Sequence, residues 1–315
     1  MPSAEFDISI VILTWNRREN LQELLAGLVN LRPLVCDIIV VDNHSEDGTA
    51  EMVRAEYPAY QCIRTEKNEG VSARNHGIDA ASGQVVITLD DDLLGLSRAD
   101  LARLAKEFAN NEKLGALNFQ VVDFFTKRTC NWVHHRPASH CGDRFSTYEI
   151  TEGAVAVRRE AFVNTGGYCQ DFFISHEGPD LAYRMMNLGY TVEFDGRIRL
   201  EHKHADAARQ SWRFYYFDTR NTIWLAARNM PWLKMPAYLV RSLGAMAVYA
   251  IRDGFFVWWL RAIWDAMVGL PKMLATRQPW TAQTREWCEE ADRHRPGFWT
   301  LVRQRLGGGN ARMDT

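Results

Sequence analysis

The sequence predicts an α/β fold: an open, Rossmann-like, mostly parallel sheet flanked by helices, with a C-terminal helical extension. Three observations point there. Strand-like and helix-like segments alternate four times in the first hundred residues with short connections, the rhythm of helical crossovers between parallel strands. The strand-like segments are apolar, β-branched runs that read as buried strands. Polar residues then gather where those runs end, and in open α/β sheets ligands collect beyond the C-terminal strand ends.

"DISIVILTWN" is the first strand, and "RRENLQELLAGLVNL" follows with Leu21, Leu24, Leu25 and Leu28 at helical spacing. "CDIIVVDN" is the second strand and "SEDGTAEMVRAEY" the next helix. "YQCIRT" is a short strand, "GVSARNHGIDAA" a helix stopped by Ser82-Gly83, and "QVVITLD" the fourth strand. Beyond residue 115 the rhythm loosens. "GALNFQVVDFF" reads as a strand, "YEITEGAVAVRREAFVNTGGY" as a strand and short helix, and "HEGPDLAYRMMNLGYTVEFDGRIRLEH" as a helix followed by short strands. Glu177, Asp180 and Arg184 share one face of that last helix, which reads as an ordinary surface Asp–Arg pair.

The chain is 47% hydrophobic and 24% charged over 315 residues, enough to bury a substantial core. Its formal charge of -2 hides an asymmetry. Residues 203–315 carry 17 Lys+Arg against 9 Asp+Glu and hold nine of the eleven tryptophans. Such a basic, Trp-rich segment fits a membrane surface better than nucleic acid, for which no binding signature appears. From Met235 to Leu274 the chain is apolar but interrupted by Arg241, Arg252, Asp253, Arg261 and Asp265, so no stretch reaches the ~20 apolar residues of a spanning helix. Arg241 and Arg252 fall within about 20° of each other on a helix, predicting a charged face opposite one of Trp, Phe and Met. The six cysteines form no CxxC pair and the N-terminus lacks a basic signal region, so a cytoplasmic setting is expected, peripheral at the inner face of the cell membrane. "CNWVHHRPASHC" groups Cys130, His134, His135, His140 and Cys141, but the spacing fits no common zinc module and favours a loop near substrate.

The chemistry is densest at "LDDD". A buried strand ending in Asp90-Asp91-Asp92 places three mutually repelling carboxylates together, which suggests a cation among them. Thr14-Trp15-Asn16-Arg17, Asp42-Asn43 and "EKNEG", with Asn68, reach the same rim. There is no GxGxxG after the first strand and no GxxxxGK[ST], so phosphates need a divalent ion together with Arg17 or Arg74.

The segments "VILTWNRRENL", "IIVVDNHSEDGT", "NEGVSARNHGIDAASGQVVITLDDD", "GAVAVRREAFVNTGGY", "HEGPDLAYRMMNLGY" and "YYFDTRNTIWLAARNMP" occur in the order of one known family. With them the chain resembles family 2 glycosyltransferases of the GT-A fold, especially rhamnosyltransferase-like bacterial polysaccharide enzymes. The resemblance implies an inverting transfer from a UDP- or dTDP-sugar to a glycan or lipid-linked acceptor. It implies Asp42 and Thr14 beside a pyrimidine base, with Asn16, Arg17, Asn68, Arg74 and Asp90 on the donor side. It makes Asp92 a ligand of Mg²⁺ or Mn²⁺, and Asp91 a ligand of the ribose or the metal. His202 or His204 joins the metal region. Glu152 and Gly153, with His176, fall on the acceptor side, and Gly153 would let a sugar ring approach the backbone. The catalytic base is Glu177 or Asp180, because Gly178 stands where the family commonly has an aspartate. His176 is placed to bond or tune Glu177, and Arg220-Asn221 is a recurrent feature without an assigned role. Residues 1–205 are expected to form the catalytic domain, a donor half to about 115 and an acceptor half after it. Residues 206–306 are expected to form the helical extension, and 307–315 a disordered tail. The alternatives are sugar-phosphate nucleotidyl transfer, against which "TWNRREN" replaces the usual Gly-rich loop, and a catalytically silent nucleotide-sugar-binding protein, which Gly178 favours.

Overall fold

The apolar runs become the central strands of one sheet, seen in a computed structural model that describes residues 7–130, 136, 138–203 and 211–293. The first half contains β1 (Ile8–Thr14), α1 (Arg18–Leu28), β2 (Ile38–Asp42), α2 (Thr49–Glu56), β3 (Gln61–Arg64), α3 (Arg74–Ala80), β4 (Val85–Asp90), β5 (Leu93–Leu94) and α4 (Arg98–Asn110). Next come β6 (Leu114–Asp123), β7 (Thr129–Cys130), β8 (Arg144–Ser146), β9 (Ala154–Arg158), α5 (Arg159–Thr165), α6 (Glu177–Asn187) and β10 (Thr191–His202). Helices α7 (Trp212–Asn229), α8 (Met235–Arg252), α9 (Phe256–Ala275) and α10 (Ala282–Asp292) follow.

The sheet runs β3-β2-β1-β4-β9-β6-β10-β5. Its first four strands are parallel, so β1, β2 and β4 end on one rim with Thr14 level with Asp42, and Leu13 with Asp90. Antiparallel β9 then lies between β4 and β6, and β10 runs parallel to β6. The segment read as short strands after α6 is one long β10 whose register shifts between Asp195 and Arg199. Beyond that irregularity His202 pairs with Leu93 of β5, just after the three aspartates. Successive strand residues face opposite sides. Ile10 and Ile12 join a core with Leu21, Leu25 and Phe108, while Val11 joins a second core with Val41, Ile78 and Leu181.

Helices α7 and α9 pack through small residues. The Trp224 indole donates to the Ala266 carbonyl at 2.9 Å, and a Cβ on Gly269 would lie 2.4 Å from its ring. Ala262 and Ala266 are fully buried. The charged and apolar residues of this segment were expected on opposite faces. Instead Val240, Val248 and Ile251 share the exposed surface with Arg241 and Arg252, and Val257, Leu260, Trp264, Met267 and Val268 share it with Arg261. The physical reason is that alanine and glycine allow close approach of α9 to α7, so its inward stripe includes the small residues Ala262, Ala266 and Gly269, with Met273 of α9 and Tyr249 of α8 among the large side chains that turn inward. Among the described residues no helix is long and apolar enough to cross a membrane.

Candidate active site

The parallel strand ends bring the three adjacent aspartates to different partners. Asp90 pairs with Arg74, a fully buried first residue of α3. Asp91 accepts from the Thr14 hydroxyl at 2.8 Å and lies 3.3 Å from Arg17 Nη1. Asp92 takes the same Arg17 nitrogen at 2.5 Å and meets His202 Nε2 at 2.9 Å. Asp91 and Asp92 are each only 4% exposed. Burial pushes the Asp91 carboxyl up to about 7, with Arg17 opposing and the Asp92 charge adding. Burial acts the same way on Asp92, but the hydrogen bond and charge of His202, together with Arg17, outweigh it and hold its carboxyl low. Burial disfavours charge on His202, yet its bonds to Asp92 and Cys130 raise it to about 9. Two carboxylates can stay here because cations already stand between them.

Asp42 is fully buried at the end of β2. Its Oδ1 accepts from the Ser45 amide at 2.9 Å; its Oδ2 lies 3.5 Å from Arg64 Nε and accepts no hydrogen bond. A buried carboxylate oxygen left open is a place for a ligand donor. Two other donor-side candidates have architectural partners. Asn16, at φ 52°, bonds across to Ser45 and Glu46, and Asn68 accepts from the Asn43 side chain and the Gly70 amide.

The acceptor-side residues meet Asp90. A Cβ at Gly153 would fall 2.2 Å from the Asp90 carboxylate, so glycine is required for that carboxylate to lie on the β9 backbone. Glu152 is half-buried, Glu177 is 2% exposed, and both face Arg74. His176 does not tune Glu177. Its ring lies 3.0 Å from the Thr222 hydroxyl and 3.3 Å from Asp218, on α7.

Asp180 is enclosed rather than exposed at the rim. Its carboxylate bonds Arg184 at 2.6 Å and Asn229 at 2.7 Å, and lies 3.0 Å from Arg228 Nε. Arg184 goes on to the carbonyls of Thr165 and Gly167. The surface pair expected from spacing is therefore a buried ion cluster joining α6, α7 and the end of α5. It is buried because α7 covers the face that spacing alone leaves open.

Arg220 and Asn221, unassigned in sequence, hold the segment before α6. Phe173, Ser175 and His176 all have φ near +70°, a costly conformation for residues with side chains. Asn221 shares its side-chain amide among the carbonyls of Phe172, Ile174 and Ser175 at 2.7–2.9 Å, and Arg220 donates to Asp171 and Phe172. The available signal was a polar run, "DTRN", on the otherwise apolar α7.

Of the histidines considered for a metal, His202 is in place, while His204 lies outside the described residues, as do His134 and His135 of the Cys/His loop. Among the described residues no three His, Cys, Asp or Glu side chains converge on one point. The pair Asp92–His202 still fits a small dication, because Mg²⁺ and Mn²⁺ at nucleotide sites take few protein ligands and complete their shell with phosphate and water.

Residues 9–173, just over half the chain, match the sequence model of "Glycosyl transferase family 2". Over 91 residues the chain is 41% identical to the dolichol-phosphate mannosyltransferase of Pyrococcus furiosus, covering 27% of this chain and 26% of that one. The chain thus spans about a quarter of that relative's length. Two solved structures share the fold. GalNAc-T7 with UDP, GalNAc and Mn²⁺ has a TM-score of 0.62 at 16% identity, over 85% of this chain and 58% of that one. The Pyrobaculum calidifontis mannosyltransferase PcManGT with GDP-Man and Mn²⁺ has 0.53 at 19% identity, over 99% and 78%.

Asp180→Ala leaves two arginines in contact without their carboxylate and is expected to lower stability by about 3–5 kcal/mol. A fall in the urea midpoint at unchanged m-value checks this, and an unchanged midpoint contradicts it.

Proposed function

We propose that this chain, which belongs to glycosyl transferase family 2 and has the GT-A fold, is a glycosyltransferase performing an inverting, metal-dependent transfer of a sugar from a nucleoside diphosphate to a hydroxyl group. The donor is a UDP- or dTDP-sugar carrying a hexose or deoxyhexose, in keeping with the rhamnosyltransferase-like motifs. The acceptor is a glycan or a lipid-linked saccharide of surface polysaccharide or glycolipid synthesis. One observation carries the reading: Asp92 against His202, beside Asp91 on Thr14 and Arg17, at the strand ends where Asp42 leaves a buried oxygen open.

The residues divide the work. Asp42 accepts from the edge of a pyrimidine base, and Thr14 with Asp91 borders the ribose. Arg17 and Arg74 hold positive charge where the diphosphate lies. Asp92 and His202 would hold Mg²⁺ or Mn²⁺, and such an ion would neutralise charge on the departing diphosphate. On the far side, the space above Gly153 is taken by the Asp90 carboxylate rather than left for a sugar ring, and a carboxylate beside it accepts the hydroxyl proton. Mn²⁺ in the GalNAc-T7 and PcManGT structures supports a divalent cofactor here.

The outward face of α8 and α9 supports a place at the membrane. Val257, Trp264 and Val268 are 65–74% exposed among arginines, a surface that suits lipid headgroups and acyl boundaries. It would set the rim beside a lipid-linked acceptor on the cytoplasmic leaflet.

Asp92→Ala is expected to abolish the Mn²⁺-dependent part of UDP or dTDP binding in calorimetry; wild-type affinity in the variant contradicts the metal role. Purified protein is expected to float with vesicles containing anionic lipid, and Leu260→Glu with Trp264→Glu to reduce that fraction at least about fivefold at unchanged donor binding. Equal flotation of both proteins, or none for the wild type, contradicts the membrane role.

A further inference from the structure

Two buried carboxylates stand beside the acceptor rim, and the geometry separates their roles. Glu177, first residue of α6, is enclosed at 2% exposure, and its Oε2 accepts no hydrogen bond. Glu152, just before β9, is half-buried and adjoins Gly153, whose backbone carries the Asp90 carboxylate. The neighbouring Gly178 explains the arrangement. A Cβ built there would fall 2.4 Å from Glu152 Oε1 and 2.0 Å from the Ile150 carbonyl. The Glu152 carboxylate thus fills the volume that a side chain at position 178 would need. It accepts from the Gly178 amide at the start of α6, where the helix favours negative charge.

We propose that Glu152 is the carboxylate that receives the acceptor's proton, with Glu177 as its enclosed partner and Asp180 outside the chemistry. The inference rests on the reading of the chain as an inverting transferase and assigns that reaction's base. A carboxylate must touch the incoming hydroxyl, and of these three Glu152 is the least enclosed residue: it is half-buried beside Gly153, while Glu177 is 2% exposed and Asp180 fully buried. Glu177 is closed off, and both oxygens of Asp180 are engaged by Arg184, Arg228 and Asn229.

In the step, the acceptor O–H bond breaks and its proton goes to Glu152. The oxygen forms a bond to the anomeric carbon, and the bond from that carbon to the diphosphate oxygen breaks, its electron pair leaving with the nucleoside diphosphate. Glu152 later releases the proton to solvent. The groups facing Glu152 are Arg74 on α3, Asp90 on β4, Glu177 on α6 and Tyr168. Burial raises Glu152 to about 7, against the Gly178 amide and Arg74, with Asp90 adding to the rise. Burial and then the Glu152 charge push Glu177 well above the usual carboxylate range. Glu177 therefore keeps its proton, and Glu152 ionises near neutral pH, where a general base works best.

The test compares Glu152→Gln with Glu177→Gln. Diphosphate release is measured from UDP-, dTDP- and GDP-sugars with Mn²⁺, using water as the acceptor, beside UDP binding by calorimetry. Glu152→Gln is expected to lose at least ~100-fold in kcat with UDP affinity unchanged, and Glu177→Gln less than ~10-fold. A ¹³C-carboxylate titration is expected to show one glutamate ionising near 7 that disappears in Glu152→Gln and persists in Glu177→Gln. A loss in Glu177→Gln equal to or greater than that in Glu152→Gln overturns the assignment, as does near-normal turnover of Glu152→Gln. A wild-type chain that releases diphosphate from none of these sugars overturns the transferase reading itself, and the inference with it.

Discussion

The structure depends on seating three consecutive aspartates together at one strand end. Carboxylates so close repel, and burial raises the cost of each charge. The fold resolves this by giving each a different neighbour: Arg74 for Asp90, Thr14 and Arg17 for Asp91, and Arg17 with His202 for Asp92. Those neighbours come from α3, the end of β1 and the end of β10, elements far apart in sequence. The parallel arrangement of β1, β2 and β4 and the register shift in β10 are what bring them to one rim.

The second half of the chain works on a different problem, that of holding an unfavourable backbone. Three residues before α6 sit at positive φ, and α7 stabilises them through Arg220 and Asn221. Asp180 ties α6 to α7 through Arg228 and Asn229, and Lys272 of α9 reaches Asp171 at 2.6 Å. Helix α9 is therefore joined by a polar contact to the segment that leads into α6.

Much of this was legible in the residues. The alternation of β-branched runs with helical periodicity gave the sheet its parallel half, and the strand-end polar residues marked the rim. Thr14, Arg17, Arg74, Asp42, the three aspartates and His202 were named from chain position and resemblance, and the fold gathers them at that rim. What periodicity does not encode is which face a later element covers. Asp180 and Arg184 therefore looked like a surface pair, and the arginines of α8 and α9 looked set apart from the large apolar residues with which they share the exposed surface. Asn16 and Asn68 shared the rim's polarity, but their hydrogen bonds go to turns. Gly178 was visible as a missing carboxylate, whereas the Glu152 side chain in its place lies 26 residues earlier and needed coordinates to find.

The central claim is that the Asp92–His202 pair is a metal site shared with a donor diphosphate. Anomalous diffraction from crystals grown with Mn²⁺ and UDP tests it most directly. One strong peak is expected within bonding distance of Asp92 and His202, with Arg17 moved off Asp92 toward phosphate. Bound UDP with no anomalous peak there, and Arg17 still seated on Asp91 and Asp92, would contradict it.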